Sequence, residues 1–435
     1  MRVAGNDGVV RFLVRGSAIA LATRVAGVGL GYVVAILISR LLGADGYGTY
    51  SIAMAWALLL VVPSRAGLDT AALKFAPIYL ERGDYSRLKG FVRLAAASVL
   101  VTSAVAGLGV VIVAGLGLTS IPSGASVATA VTILPIAALG LVGALLRAER
   151  RIFASQFYEQ LLRPALIIVL LLGAAALAVR ISASMAVLFG AAGAFVALIL
   201  GGFHAVRVLP LSGSGADYSD RRAWLSLGGV LLATTVVQEA LNQVDIVMLG
   251  YLASAREAGL FAAAWRVASL ASFAVAAMTT VSGPLIASSY DKGDFGSLGG
   301  IARSTARIGF AASLLICVPL ALLGGLILRL FGPEFPAAYP ALLVLLLGGL
   351  ANAFTGAVAY LMTMTGRHSH ALAIFAGALA VSVILNILLI PPYSIVGAAI
   401  ASTVGTIGWN LVMLVYVRRA MGIDASAMAL APRAA

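Results

Sequence analysis

The sequence predicts an all-α integral membrane protein. About 12 transmembrane helices are expected in two six-helix bundles, forming a parallel pseudo-two-fold repeat around a central cavity. Three observations carry this expectation. Of 435 residues, 62% are hydrophobic and only 10% are charged, with a mean hydropathy of +1.07. A soluble domain carries about 25% charged residues because its surface must face water. The apolar stretches are also continuous over roughly 20–25 residues, the length of a helix crossing a hydrocarbon core about 30 Å thick; barrel strands would alternate over about ten residues. Finally, a pair of short motifs recurs in the second half of the chain.

Helices are expected near residues 12–38, 49–72, 91–116, 125–147, 164–180, 183–205, 226–250, 260–287, 308–330, 340–365, 371–390 and 396–417. The first run is too long for the apolar region of a signal peptide and is read as a retained helix. The fifth is short, while the third and eighth are long enough to tilt. The loops at 74–90, 207–222 and 290–307 are the longest, and none can hold a soluble catalytic domain. The first and third look amphipathic and are expected along the inner interface.

The net charge of +13 comes from basic residues in the short stretches between apolar runs. With the N-terminus inside, 22 Lys and Arg fall on inner segments, against Arg40, Arg180, Arg256 and Arg329 outside. Cytoplasmic loops collect Lys and Arg, so both termini are expected in the cytoplasm. The same distribution assigns the charge to topology and anionic lipid headgroups rather than to nucleic acid. Cys317 is the one cysteine, so no intrachain disulfide can form.

The repeat sets the architecture. Leu42-Gly43-Ala44-Asp45-Gly46-Tyr47-Gly48-Thr49-Tyr50 is matched by Tyr251-Leu252-Ala253-Ser254-Ala255-Arg256-Glu257-Ala258-Gly259-Leu260-Phe261, pairing Gly48 with Gly259 and Tyr50 with Phe261. Then Arg82-Gly83-Asp84-Tyr85, with Leu88, Gly90 and Arg93, corresponds to Lys292-Gly293-Asp294-Phe295, with Leu298, Gly300 and Arg303. The two offsets are 211 and 210 residues, and each half carries six expected helices. An even number gives both halves the same polarity, with the pseudo-two-fold axis along the membrane normal. The expected organisation is a bundle at 1–205, a cytoplasmic linker at 206–225, and a second bundle at 226–435.

Ile38-Ser39-Arg40-Leu41-Leu42-Gly43 through Tyr50, then Gly67-Leu68-Asp69-Thr70-Ala71 and Glu81-Arg82-Gly83-Asp84, resemble the start of the polysaccharide-exporting flippases. These are the oligosaccharide branch of a superfamily that also holds multidrug extruders and the lipid II flippase. Asp245 to Gly250, Gly259-Leu260-Phe261 and Leu330-Phe331-Gly332-Pro333-Glu334-Phe335 agree with it. The chain departs at Ile246, where members often carry a basic residue, so no role of that base is carried over. The resemblance implies transfer of an undecaprenyl-pyrophosphate-linked oligosaccharide across the bacterial inner membrane. Glycosyltransferases and a polymerase of the same pathway are the implied partners. A monomer without cofactor or metal is expected.

Ionisable residues within membrane helices are costly, so each is a functional candidate. Arg24, Arg65 and Arg266 are candidates for a cationic cleft, because a guanidinium fork pairs with phosphate oxygens and stays charged. Against this, Arg65 and Asp69 stand i, i+4 and can neutralise each other, and Arg266 can snorkel. The seventh helix carries Gln238, Glu239, Asn242, Gln243 and Asp245, a polar stripe that no other expected helix matches. Gln238 and Asn242 are candidate substrate contacts; Glu239, Asp245 and Asp69 are candidates for ion coupling. Interhelical hydrogen bonding is the competing explanation of the stripe. Gly27 and Gly31 form a close-packing pair, and Pro63, Pro135, Pro284 and Pro319 are expected kinks. His368 and His370 are expected in a solvated turn rather than at a metal. The chain contains no Gly-x-x-x-x-Gly-Lys-Ser/Thr loop, and catalytic residues are expected nowhere. A drug exporter working on cations and a membrane glycosyltransferase or polymerase are the alternative functions.

Overall fold

The computed structural model describes residues 6–121, 123–211 and 215–429. Side chains are described from Ala22 onward, apart from Ser123, Val230, Thr280, Val281 and Pro284. The expected kink at Pro284 and the terminal charges Arg2 and Arg433 therefore lie outside the description. Among the described residues the chain is helical, without strands.

Residues up to Leu42, with Ala53–Val236, form one compact unit; Gly43–Ile52 and the residues from Val237 form a second. The helices in order are α1 (Asn6–Ser64), α2 (Leu68–Arg82), α3 (Tyr85–Gly115), α4 (Ser123–Ala148), α5 (Ile152–Gln156), α6 (Arg163–Ala176) and α7 (Ala183–Val208). A π turn, Phe157–Leu162, joins α5 to α6. They continue as α8 (Arg221–Leu252), α9 (Ala255–Ala268), α10 (Leu270–Asp291), α11 (Phe295–Arg329), α12 (Tyr339–Thr355), α13 (Val358–Met364) and α14 (His368–Met421).

Among the described residues nine helices are long and apolar enough to cross a membrane, or ten if the bent pair α9 and α10 makes one span. Ala22–Ser64, at 43 residues, would be about 65 Å long as one rod, twice the hydrocarbon thickness. It breaks at Gly43, where φ is +69°, a conformation open to glycine. The 54-residue α14 breaks at Ser394 just after Pro391-Pro392, and the Ser394 hydroxyl donates to Glu257. Divided at these two breaks, and with α9 and α10 counted as one span, the spans among the described residues number twelve, as expected.

Several expected boundaries need correction. The stretch read as a loop at 74–90 is mostly helical: α2 ends at Arg82 and α3 begins at Tyr85. Likewise α11 begins at Phe295, not near 308. The basic residues there sit on helices joined by very tight corners. At both corners a glycine with φ of +69° ends one helix and an aspartate caps the next. Asp84 accepts from the Arg87 amide and Asp294 from the Ser297 amide, satisfying a first-turn donor. The corners share their backbone bonds too: Asp84 N–H to Tyr79 O at 2.9 Å and Asp294 N–H to Ser289 O at 3.0 Å. The fifth span also starts earlier than expected, at Ile152, and passes through the π turn. His368 and His370 open α14, where the His370 ring lies 4.9 Å from that of Tyr416.

The repeat is also visible where its two copies touch. Within the second unit, a Cβ on Gly48 would strike the carbonyl of Ala255, and one on Gly259 would strike the carbonyl of Ala44. Ala44 and Ala255 are themselves repeat partners. A contact in which i meets j′ while j meets i′ is the signature of a two-fold axis. It holds the helix starts at 44–52 and 255–263 at backbone distance.

Each unit fastens the segment that follows its last span onto its own corner. In the first, Asp217 N–H donates to Ser86 O, and Gly90 leaves room for the Asp217 carbonyl. Arg87 pairs with Asp84, Asp217 and Asp220. The fully buried Trp224 donates from its indole to the Tyr79 hydroxyl at 2.8 Å, which donates to Asp220 at 2.9 Å. Burial, followed by the Asp220 carboxylate, pushes the Tyr79 phenol up to about 12. In the second unit, Arg307 donates to the carbonyls of Ala427 and Ala429, and Ile423 and Ala425 are buried in the core. Four spans separate each corner from its strap, so each strap returns to the face its corner occupies.

Candidate functional site

The second unit encloses a cavity of about 440 Å³. On α8, Gln238, Leu241 and Asn242 face it, because positions i, i+3 and i+4 share one side of a helix. Trp265 comes from the end of α9, Ser269 from the bend after it, and Ser272 from α10. On α12, Gly348, Gly349 and Asn352 line it; a Cβ on Gly349 would come within 2.8 Å of Ala271. The two limbs of α14 contribute Phe375 and Ser382, then Ser402, Thr403, Thr406 and Trp409. Trp409 stands 5.1 Å from Phe375, centroid to centroid. None of the described lining side chains is ionisable.

Behind the lining lie two hydrogen-bonded networks. Asp245, buried one turn beyond Asn242, accepts from the Asn386 amide at 2.7 Å and from Ser402. Asn386 also donates to Ser382 O, while its Oδ1 has no partner among the described residues. Asn410 donates to Asn352 Oδ1 at 3.2 Å and accepts from Thr355 at 2.5 Å. A buried carboxylate costs several kcal/mol unless donors surround it, and these amides and hydroxyls supply them. Glu239 points elsewhere on α8, half-buried, and accepts from Gln243 at 2.8 Å.

The remaining candidates are distributed. Arg24, on the first limb of α1, is exposed and makes no ion pair among the described residues. Arg65 pairs with Asp69 at 3.4 Å, donates to Ile136 O, and lies flat against the bare backbone at Gly140. The i, i+4 neutralisation thus forms. Arg266 is half-buried near the end of α9. Gly27 packs closely, as its spacing suggested, with a hypothetical Cβ 2.9 Å from the Gln160 backbone.

The expectation that α8 alone carries a polar stripe was incorrect. On α14, Ser382 and Asn386 stand i, i+4, as do Ser402, Thr406 and Asn410; the first four face α8 or the cavity, and Asn410 faces α12. Each is one polar residue in a long apolar run. Their spacing of four, and the costs of an amide in lipid, were the available signals. Trp265 and Trp409 carried no such signal.

Twelve spans in this order, with a polar cavity inside a helix bundle, define a membrane transporter fold. It matches an inward-facing multidrug-resistance MATE transporter of the MOP superfamily with a TM-score of 0.69, at 13% identity over 93% of this chain and 98% of that one. It matches the lipid II flippase MurJ in an inward closed conformation equally, at 0.69 and 14% identity, over 93% and 87%. A MOP-superfamily transporter from Pyrococcus furiosus Vc1 aligns at 0.66 and 14% identity, over 94% and 95%. The chain belongs to the polysaccharide biosynthesis protein family, whose model matches residues 13–289. No curated protein sequence matches it.

Proposed function

We propose that the chain flips a lipid-linked oligosaccharide across the bacterial inner membrane by alternating access. The substrate is an undecaprenyl-pyrophosphate-linked repeat unit for O-antigen or exopolysaccharide synthesis. The observation that carries this proposal is the cavity lining: amides, hydroxyls and two indoles, with no ionisable side chain. A sugar presents hydroxyls along its rim and C–H groups on its faces. Gln238, Asn242, Asn352 and Thr406 exchange water for direct hydrogen bonds, each contributing about 0.5–1.5 kcal/mol net. Trp265 and Trp409 offer flat apolar faces with a polar edge. A cationic drug would favour a lining carboxylate, and the described lining has none.

The arginines Arg24, Arg65 and Arg266 are assigned to the pyrophosphate, with the exposed Arg24 as the principal contact. Coupling to an ion gradient is assigned to the carboxylates of α8, Glu239 first and Asp245 second, with Asp69 third. A monomer with both termini in the cytoplasm, working beside the pathway's glycosyltransferases and polymerase, completes the proposal. The test is reconstitution in proteoliposomes, with lipid-linked oligosaccharide in one arm and a cationic dye in the other. Oligosaccharide flipping that Asn242→Leu abolishes supports the proposal. Dye transport without oligosaccharide flipping overturns it in favour of a drug exporter.

A further inference from the structure

The π turn at Phe157–Leu162 lies in the first unit. A π turn holds an extra residue, slips the side-chain register, and recurs at functional sites. Here the slip aligns Phe157, Tyr158 and Leu162 with the last two turns of α7. Together with Leu200, Phe203, His204 and Arg207 they form an open pocket of about 470 Å³. The pocket is deliberately shaped by Gly201. The Tyr158 ring lies across that glycine, 3.3 Å from where a Cβ would stand. The Tyr158 hydroxyl is then 3.1 Å from His204 Nδ1.

The pocket has two chemically different ends. One end is apolar, with Leu162 and Leu200 beside exposed Ile199, and Phe157 lies between the two ends. At the other end is Arg207, in the last turn of a 26-residue span, its guanidinium 4.0 Å from the centroid of the Phe203 ring. Arg207 is exposed and has no acidic partner among the described residues. An arginine at the end of a span reaches the depth of lipid phosphates. When Tyr158 donates to Nδ1 of His204, the Nε2 of that ring carries a hydrogen available to an anion.

We propose that this pocket seats one anionic membrane phospholipid, with its phosphodiester on Arg207 and His204 and the first carbons of an acyl chain along Phe157, Leu162 and Leu200. The charges match one to one. Arg207 is the one permanent cation of the described lining, which suits the single charge of a phosphodiester and leaves a pyrophosphate undercompensated. The site is independent of the cavity in the second unit and does not rest on its assignment.

Native mass spectrometry of the full chain in detergent tests this, with phosphatidylglycerol, phosphatidylcholine and undecaprenyl phosphate titrated in separate arms. The wild type is expected to retain one phosphatidylglycerol in preference to phosphatidylcholine. Arg207→Gln removes a charge-assisted fork and is expected to weaken that retention about tenfold. Tyr158→Phe keeps the ring over Gly201 and is expected to weaken it about threefold, through the histidine it orients. Arg40→Gln, on a different helix, is expected to change nothing. Equal retention of the two phospholipids, unchanged retention in Arg207→Gln, or a preference for undecaprenyl phosphate overturns the proposal.

Discussion

Alanine at Gly48 adds one methyl group where two backbones already touch. Its Cβ would sit 2.5 Å from the Ala255 carbonyl carbon, and closer still to the oxygen, with Gly259 N at 2.9 Å. Ordinary van der Waals contact begins at 3.4 Å, so the two helices must part by more than 1 Å to clear the oxygen, and no flexible side chain is present to yield. A gap of 0.5–1 Å forfeits about a quarter to a half of the dispersion energy of each contact it opens. The residues along this crossing, Ala44, Tyr47, Ala258 and Phe261, are all buried, so the loss is shared by a packed interface. Overpacking typically costs about 1–3 kcal/mol, and a backbone clash belongs at the upper end, about 3 kcal/mol. Gly259→Ala should cost about the same, because its Cβ meets the mirror-related backbone. The double variant should cost less than the two singles together, since one separation relieves both clashes. The assay is thermal unfolding of purified protein in detergent, with Gly173→Ala as control. Gly173 has nothing within 4 Å of its would-be Cβ, so alanine there should be neutral or raise the Tm. A Gly48→Ala protein melting with the wild type would refute the two-fold contact.

Tyr79→Phe leaves the buried indole N–H of Trp224 without its acceptor and should cost about 1–3 kcal/mol, measured by Tm against wild type. Hydrogen bonds from the Ser219 backbone and then its hydroxyl hold the Asp217 carboxyl below the ordinary carboxylate range. A depressed folded pKa contributes stability above the unfolded value and loses it as pH falls through the folded one. The Tm difference between wild type and Asp217→Asn should therefore shrink between about pH 6 and about pH 3; a difference that grows in acid contradicts this. Glu239→Gln should abolish pH-gradient-dependent flipping in proteoliposomes while leaving membrane insertion intact, and full gradient dependence would remove Glu239 from coupling. Arg24→Ala should impair flipping more than Arg40→Ala, and equal rates would release Arg24 from the substrate path.

The spans were legible because lipid demands long apolar helices, and the repeat because its motifs encode geometry. Gly83-Asp84 and Gly293-Asp294 are corners in any context: glycine takes the left-handed conformation and aspartate caps the next helix. What misled was charge. Arg82, Arg87, Lys89, Arg303 and Arg307 look like loop residues, but they decorate helix ends, so the helices start earlier than hydropathy suggests. The α8 face of the site was readable from the 238–245 stripe. The α14 face was not, because Asn386 and Asn410 are single amides in apolar sequence, and their meaning depends on which helix packs opposite. The significance of Trp265 and Trp409 came only with tertiary packing.

The Arg87 cluster also bears on how the chain is built. Asp217 lies 130 residues beyond Arg87, on the far side of four spans. While those spans are being made, Asp84 is the one acid of the cluster already synthesised. Arg87 is then a poorly compensated positive charge at the start of α3, which retains that end on the side where it first lies. Asp217 and Asp220 emerge after the last of the four spans and absorb that charge into the finished strap. An orientation signal needed during insertion is thereby converted into a structural clasp, and the strap can close only when an even number of helices has been threaded. A nascent chain that skips a span presents its aspartates to the wrong side of the bilayer and leaves Arg87 and Trp224 unclasped.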